Sequence, residues 1–383
     1  MVNRNFLDGV PEVSVILPCR DEEEAVGGCI QLIKKVFREN NIIGEIIVSD
    51  SSSDSSPNIS RRLGARVVKH DKEGYGIACM EGLKAARGKY LFLADADGSY
   101  DFAEIPRFVD ALRQGADMVV GDRFAGKMEK GAMPLTHKWI GNPALSFLLR
   151  LFFSAKVKDV HCGMRAITKG AWKKLSLHTT GMEFASEMIV QAVKKKLTIA
   201  ELPIVYHRRC GRSKLKTLSD GWRHLRFLLL YSPLYLFLLP GIGLFLLGLV
   251  SMLILYLGGG RVVGVELFYH PMFLSSMLII VGYQLIFFGF FAKTYSMIYL
   301  EEKSSSMAFF LRHITLEKAL MSGLAMAGIS AIMYLSIFIQ WLQSGFGELQ
   351  EVKNAIIALT LVVLGVQTFF SGFMLSVLGI KRH

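Results

Sequence analysis

Two hydrophobic textures succeed one another along the chain. From Val13 to about Arg123, short β-rich apolar runs alternate with helical stretches. The order is VSVIL, a helix through Ile30, Ile33, Val36 and Phe37, EIIVSD, ARVVK, an Ala-rich helix from Cys79 to Ala86, YLFLADAD, a helix around Ile105 to Leu112, and DMVVGDR. Continuous apolar strands separated by helices predict an α/β fold with a mostly parallel sheet covered on both faces. Such sheets bind ligands at the carboxyl ends of their strands. Four predicted strands end there in polar residues: Pro18 to Glu22, Asp50 to Asp54, Asp95 to Asp97, and Asp122-Arg123.

After about Leu228 four segments, near 234–257, 271–297, 315–342 and 355–379, are long and apolar enough to cross a bilayer. They predict an all-α membrane domain of four transmembrane helices. The first and third turns carry the cations Arg261 and Lys353, whereas the middle loop holds Lys303 and Arg312 and the tail ends Lys381-Arg382-His383. The positive-inside rule then puts both termini and the middle loop in the cytoplasm. The expected organisation is a globular domain at 1–216, an interfacial amphipathic helix at 217–232 and the membrane domain at 233–383. The interfacial helix is expected because LSDGWRHLRFLLLY, Leu218 to Tyr231, mixes Trp222, Arg223, His224 and Arg226 with leucines. A second stretch, Trp139 to Phe153, sets Leu145, Leu148, Leu149 and Phe152 on one side, a pattern that suits an interfacial helix or a core helix equally.

Composition narrows the partners. A chain of 383 residues that is 52% hydrophobic is too apolar for an ordinary soluble protein. The net charge of +12 would also suit nucleic acid, but the cations lie mostly beside membrane-length runs, so a membrane and no nucleic acid is expected. Cys19, Cys29, Cys79, Cys162 and Cys210 are scattered without C-x-x-C pairing, which argues against a disulfide framework and fits a reducing compartment. MVNRNFLDGVPEV lacks the apolar core of a signal peptide, so the globular domain is expected to stay on the cytoplasmic side.

Asp95 and Asp97 stand two apart at the end of a buried strand and point the same way. Hard oxygen ligands so placed suit Mg²⁺ or Mn²⁺ shared with a diphosphate, and the same spacing also suits capping of the next turn. Asp50, Asp54, Asp21 and Glu22 lie along the same sheet edge and favour the ligand site. No G-x-G-x-x-G follows the first strand and no P-loop string occurs, so a diphosphate would be held by metal and side-chain cations. Arg123, His137, Lys138, Arg208, Arg209 and Lys214 are the candidates. Gly74-Tyr75-Gly76 reads as a plain turn.

The succession VSVILPCRDEE, IIVSDSSSDSS, YLFLADADGSY, VVGDRF, DVHCGMRA, TTGMEFASEM and HRRCGRSKL resembles the family 2 glycosyltransferases that make polyisoprenyl-phosphate sugars, such as dolichyl-phosphate mannose and glucose synthases. The resemblance covers nearly all of residues 13 to 232. It implies the α/β fold called GT-A, with nucleotide-sugar contacts at Pro18, Asp21, Glu22 and Asp50, and metal and diphosphate contacts at Asp95 and Asp97. It further implies acceptor-phosphate contacts at Arg123, His137 or Lys138, and a carboxy-terminal basic loop at Arg208, Ser213 and Lys214. Asp95, Asp97 and Arg123 would then be the catalytic residues. The chain departs from the family pattern in three places: Cys19-Arg20 replaces an aromatic, Ser49 an acid, and Ser99 a frequent Gln.

The implied reaction is inverting transfer of a hexose, from UDP-glucose or GDP-mannose, to a dolichyl or undecaprenyl phosphate. The second pKa of a phosphate monoester is about 6, so this acceptor attacks without the general base that a hydroxyl would need near Glu183 or Glu187. A processive polysaccharide synthase is the rival enzyme, but its Q-x-x-R-W string is missing. A nucleotide-sugar-sensing transport protein is the rival of another class, and spans with hardly a charged residue offer it little path. No motif specifies the sugar, the base or the oligomeric state.

Overall fold

The computed structural model describes residues 10–211, 217–257, 261–262, 265–266, 269–299, 315–347 and 349–379. The chain divides into two compact units, Met1–Leu228 and Leu229–His383.

In the first unit the elements run β1 (Val13–Cys19), α1 (Val26–Glu39), β2 (Gly44–Asp50), α2 (Ser56–Arg62), β3 (Arg66–Lys69), α3 (Tyr75–Ala85), β4 (Tyr90–Leu93), α4 (Ile105–Arg113) and β5 (Met118–Asp122). They continue with α5 (Asn142–Phe153), β6 (Arg165–Thr168), α6 (Lys169–Trp172), α7 (Phe184–Lys194), β7 (Ile199–Pro203) and α8 (Thr217–Leu230). One seven-stranded sheet has the order β3-β2-β1-β4-β6-β5-β7, and β6 alone runs against its neighbours. Every residue of β1 is buried, as befits a central strand covered on both faces. Helix α1 buries Val26, Ile30, Ile33, Val36 and Phe37, the stripe its periodicity predicts. Because six strands are parallel, their carboxyl ends share one edge, and the turn entering the reversed β6 reaches that same edge.

The structure adds α2, β6, α6 and β7 to the elements predicted from periodicity. It also shows the stretch Trp139 to Phe153 as a π-helical turn, His137–Gly141, running into α5. Only Ser146 and Leu149 of α5 are buried, while Trp139 is 72%, Ile140 67% and Phe147 56% exposed. Helix α8 belongs to the first unit as far as Leu228 and buries His224, Phe227 and Leu228, an i, i+3, i+4 face.

The second unit contains α9 (Leu239–Leu257), preceded by a π-helical turn at Leu234–Leu238, then α10 (His270–Tyr299), α11 (Leu316–Gln343) and α12 (Val352–Gly379). All four helices, the first counted from Leu234, are long and apolar enough to span a membrane. Helix α9 packs on α10, α10 on α12, and α12 on α11. Gly323 and Gly365 let α11 and α12 approach so closely that a Cβ on either would lie 2.7 Å from the other's carbonyl oxygen. Between α10 and α12, polar side chains satisfy one another: Ser276 with Thr360 at 2.7 Å, Tyr283 with Thr368 at 2.6 Å, and Gln367 donating to Gln284 at 2.8 Å. Lys353 Nζ donates to the Leu255 carbonyl near the end of α9, so this cation caps a helix as well as marking a loop. The other charges used to orient the spans, from Lys303 to Arg312 and at 381–383, lie outside the described residues.

Candidate active site

The first loop of the site is braced by its own side chains. Asp21 has φ 50°, a left-handed conformation that Asp tolerates, and its Oδ1 accepts from the Ser53 N–H at 2.8 Å and Ser53 Oγ at 3.1 Å. The Asp21 N–H donates to Ser52 Oγ, the Glu22 N–H to Ser56 Oγ, and the Glu23 N–H to Asp54 Oδ2. Asp21 and Asp54 therefore knit the loops after β1 and β2 together. Pro18 pairs with Ser49 on one side, while pairing with β4 stops at Ile16, so its missing N–H breaks no ladder bond.

Asp50, Asp95 and Asp97 are arranged differently. Asp50 is fully buried at the end of β2, and neither carboxylate oxygen has a hydrogen-bond partner; Lys69 Nζ stands off at 3.7 Å. Asp95 Oδ1 is likewise buried without a partner. Burial and then the charge of Asp97 push the Asp95 carboxyl up to about 7, against a hydrogen bond from Tyr75. Asp97 Oδ1 accepts from the N–H of Ser99 at 3.0 Å and from its hydroxyl, so Ser99 clamps the second acid of the motif. Among the described residues no three His, Cys, Asp or Glu side chains converge as a ready-made cage. Two carboxylates, one with an orphaned oxygen, suit a hard cation that keeps waters and takes its remaining ligands from a substrate diphosphate.

The cations divide into two groups. Arg209, one of the six cations offered by the sequence as holders of a diphosphate, reaches the acids: its Nη2 lies 3.2 Å from Glu22 Oε1 and 3.6 Å from Asp97 Oδ2. The loop carrying it is stitched to the turn after β4 by the Cys210 N–H to the Asp97 carbonyl and the His207 N–H to the Ser99 carbonyl. Arg208 turns the other way, its Nε donating to the Lys130 carbonyl and its N–H to Glu129. Arg123 is buried, with Nε and Nη2 donating to Asp159 at 2.7 and 2.8 Å and its guanidinium 5.3 Å from the centre of the Tyr206 ring. Burial works against its charge, and Asp159 more than offsets that. Arg123 thus enters the site as half of a fixed ion pair, which its sequence context did not reveal. His137 and Lys138 lie on the π-helical turn, with Lys138 Nζ 5.7 Å from the Trp139 ring centre. Ser213 and Lys214 lie outside the described residues.

Glu187 is fully buried, and its carboxylate accepts from the backbone of His178 and Thr179 and from Thr179 Oγ1 at 2.6 Å. It braces the turn before α7. That turn in turn touches the start of α3, because the Gly76 N–H donates to the Thr180 carbonyl at 3.0 Å. Gly74, at φ 140°, has no room for a side chain: a Cβ there would lie 2.3 Å from that carbonyl oxygen. The glycine pair read as a plain turn is therefore a packing seat that presents Tyr75 to Asp95. Glu183 keeps Oε2 buried without a partner at the start of α7.

With this geometry in view, similarity to known proteins decides the family. Residues 14–176 match Glycosyl transferase family 2, and residues 290–379 match the family 2 C-terminal transmembrane region. The low-salt glycan biosynthesis hexosyltransferase Agl6 of Haloferax volcanii is 38% identical over 380 residues, 97% of this chain and 90% of that one. The chain belongs to glycosyltransferase family 2. A dolichyl-phosphate hexose transferase of the same organism is 30% identical over 216 residues, 55% of this chain and 89% of that one. Glucosyl-3-phosphoglycerate synthase from Mycobacterium tuberculosis, solved with Mn²⁺, UDP-glucose and phosphoglyceric acid, is 22% identical with a TM-score of 0.47, covering 58% of this chain and 79% of its own. The family assignment makes the first unit a GT-A glycosyltransferase domain, and the matched transmembrane region makes the protein an integral membrane enzyme.

Proposed function

We propose that this family 2 enzyme transfers a hexose from a nucleotide sugar to a polyisoprenyl phosphate, inverting the anomeric centre, at the cytoplasmic face of the membrane. The observation that carries the proposal is the set of buried carboxylate oxygens on Asp50 and Asp95 that lack a hydrogen bond. Buried polar atoms are costly without partners, so they mark where the base, ribose and diphosphate of a donor belong. The name of the dolichyl-phosphate hexose transferase among the relatives supports the acceptor class.

In this reading Asp50 takes donors of the nucleoside, and Pro18, Asp21 and Glu22 shape the wall beside it. Asp95 and Asp97 hold Mg²⁺ or Mn²⁺, which when bound would neutralise the donor diphosphate. Arg209 faces the same acids and exchanges them for phosphate oxygens when donor arrives. Arg123, set by Asp159, faces the acceptor phosphate together with His137, Lys138 and Arg208, and Ser213 and Lys214 are assigned to the same phosphate. The anionic acceptor needs no base, in keeping with Glu187 being spent on backbone N–H groups. Helix α8 and the exposed face at Trp139, Ile140 and Phe147 lie at the headgroup level, where a polyprenyl chain presents its phosphate. Both termini lie in the cytoplasm.

Incubating purified enzyme with UDP-glucose, GDP-mannose and related donors, a short polyprenyl phosphate, and Mn²⁺, Mg²⁺ or chelator tests this. One donor is expected to give a lipid-linked hexose, and only with a divalent ion. Equal transfer in chelator would remove the metal from the account. One observation favours a hydroxyl acceptor instead: the unpartnered oxygen of Glu183, which could serve as a base.

A further inference from the structure

Away from the acids, three side chains from three elements form a buried polar cluster that the reaction as described does not use. Ser186, in the first turn of α7, has its Oγ 3.2 Å from His161 Nε2 and 3.0 Å from His224 Nδ1. The two rings meet edge to face with centroids 4.6 Å apart. Ser186 is completely buried and His224 nearly so. A hydroxyl has one proton to give and two lone pairs, so at least one of the two histidines must offer it an N–H. The two ring nitrogens cannot both be acceptors toward this hydroxyl, and the cluster is a specific joint between its elements.

Each member connects to something with a role in the site. His224 lies on α8, which precedes the first membrane span in the chain. His161 lies in the turn before β6, two residues from Asp159, whose carboxylate fixes Arg123. Arg165 fastens the same turn to α7, donating to the carbonyls of Cys162 at 2.7 Å and Ala185 at 2.6 Å. The joint thus links the juxtamembrane helix to the turn that orients Arg123.

We infer that His161, Ser186 and His224 are positioning residues for the acceptor step: they key α8 to the Asp159–Arg165 turn, so that use of the acceptor depends on them and donor binding does not. The inference rests on the reading of Arg123 as an acceptor-side cation.

The test uses the full-length enzyme in lipid nanodiscs, with acceptor KM, kcat and donor Kd measured separately. His224→Ala and Ser186→Ala are expected to lower kcat/KM for polyprenyl phosphate about tenfold while donor Kd changes less than about twofold. His224→Asn, which keeps a polar group at the position of Nδ1, is expected to recover most of that loss. The double alanine variant should be no worse than the poorer single one, because both remove the same joint. If His224→Ala does not fold, His224→Asn and Ser186→Ala carry the comparison. Parallel loss of donor affinity and acceptor use would reduce the cluster to a general packing role and overturn the inference, as would unchanged kinetics in both alanine variants. A wild-type enzyme that used some other acceptor would overturn the acceptor reading alone, and the same split would then be required with that acceptor.

Discussion

The two sides of the site, proposed for donor and acceptor, handle charge in opposite ways. On the acidic side, Asp50 and Asp95 keep buried oxygens without a hydrogen bond, Lys69 stands 3.7 Å from Asp50, and Arg209 stands 3.6 Å from Asp97. On the basic side, Arg123 is saturated by Asp159 at 2.7 and 2.8 Å, and Arg208 is folded onto the turn at Glu129 and Lys130. The first arrangement waits for a ligand; the second is a rigid frame whose charge is fixed before any ligand arrives. Substitutions on the two sides should therefore fail differently, the first by losing chemistry with the fold intact and the second by losing the fold as well.

The largest effect is expected at Asp97. Asp97→Ala should reduce turnover by about 10³-fold or more, since the remaining acid cannot hold the ion and the diphosphate together, while the melting temperature stays near that of the wild type. Turnover assays and thermal unfolding on one preparation check both halves. Next comes Asp159→Ala, which strands a buried guanidinium and should cost about 3–5 kcal/mol of stability. Denaturation of the detergent-solubilised protein measures it, and a stable variant would mean that Arg123 finds another partner.

Asp50→Asn should act more gently, raising donor KM by about tenfold with little change in kcat, because a uniform binding contact is weakened. Steady-state kinetics with saturating lipid acceptor read this, and a drop in kcat alone would move Asp50 from binding to chemistry. The smallest effect concerns pH. Burial, then the neighbouring charges of His224, Arg123 and Arg165, holds His161 well below its usual 6.5. The unfolded chain takes up that proton near pH 6.5 and the native state does not, so the contribution to stability is complete above about 6.5 and declines as pH falls. His161→Gln should flatten the acid side of the melting-temperature profile; an unchanged slope would assign it to other groups.

The same contrast separates what the sequence discloses from what it conceals. Asp50 is legible because a buried strand fixes where its last side chain points, and Asp95 and Asp97 because they follow the buried run of β4. The four spans are legible because bilayer thickness sets their length. Strand β6 was missed because it is four residues long, carries the buried Arg165, and runs against a pattern that otherwise promises parallel strands. The pairing of Arg123 with Asp159 joins residues 36 apart, beyond any local periodicity. Arg208 and Arg209 are neighbours in an irregular loop, where no period says which side chain faces the acids. Tyr75 carried a weak signal, a glycine on each side, whose meaning needs the Thr180 carbonyl that packs against it. Glu187 looked like a chemical group because backbone N–H donors leave no mark in a sequence.

The central claim is that a cation-framed phosphate, not a hydroxyl, receives the sugar. It is tested most directly by offering the enzyme equal concentrations of a short polyprenyl phosphate and the matching polyprenol, with the preferred nucleotide sugar, and weighing the products by mass spectrometry. The account predicts a single hexose on the polyprenyl phosphate, an untouched polyprenol, and a Glu183→Gln variant that behaves nearly as the wild type. Transfer to the polyprenol, products bearing several hexoses, or loss of turnover in Glu183→Gln would contradict it.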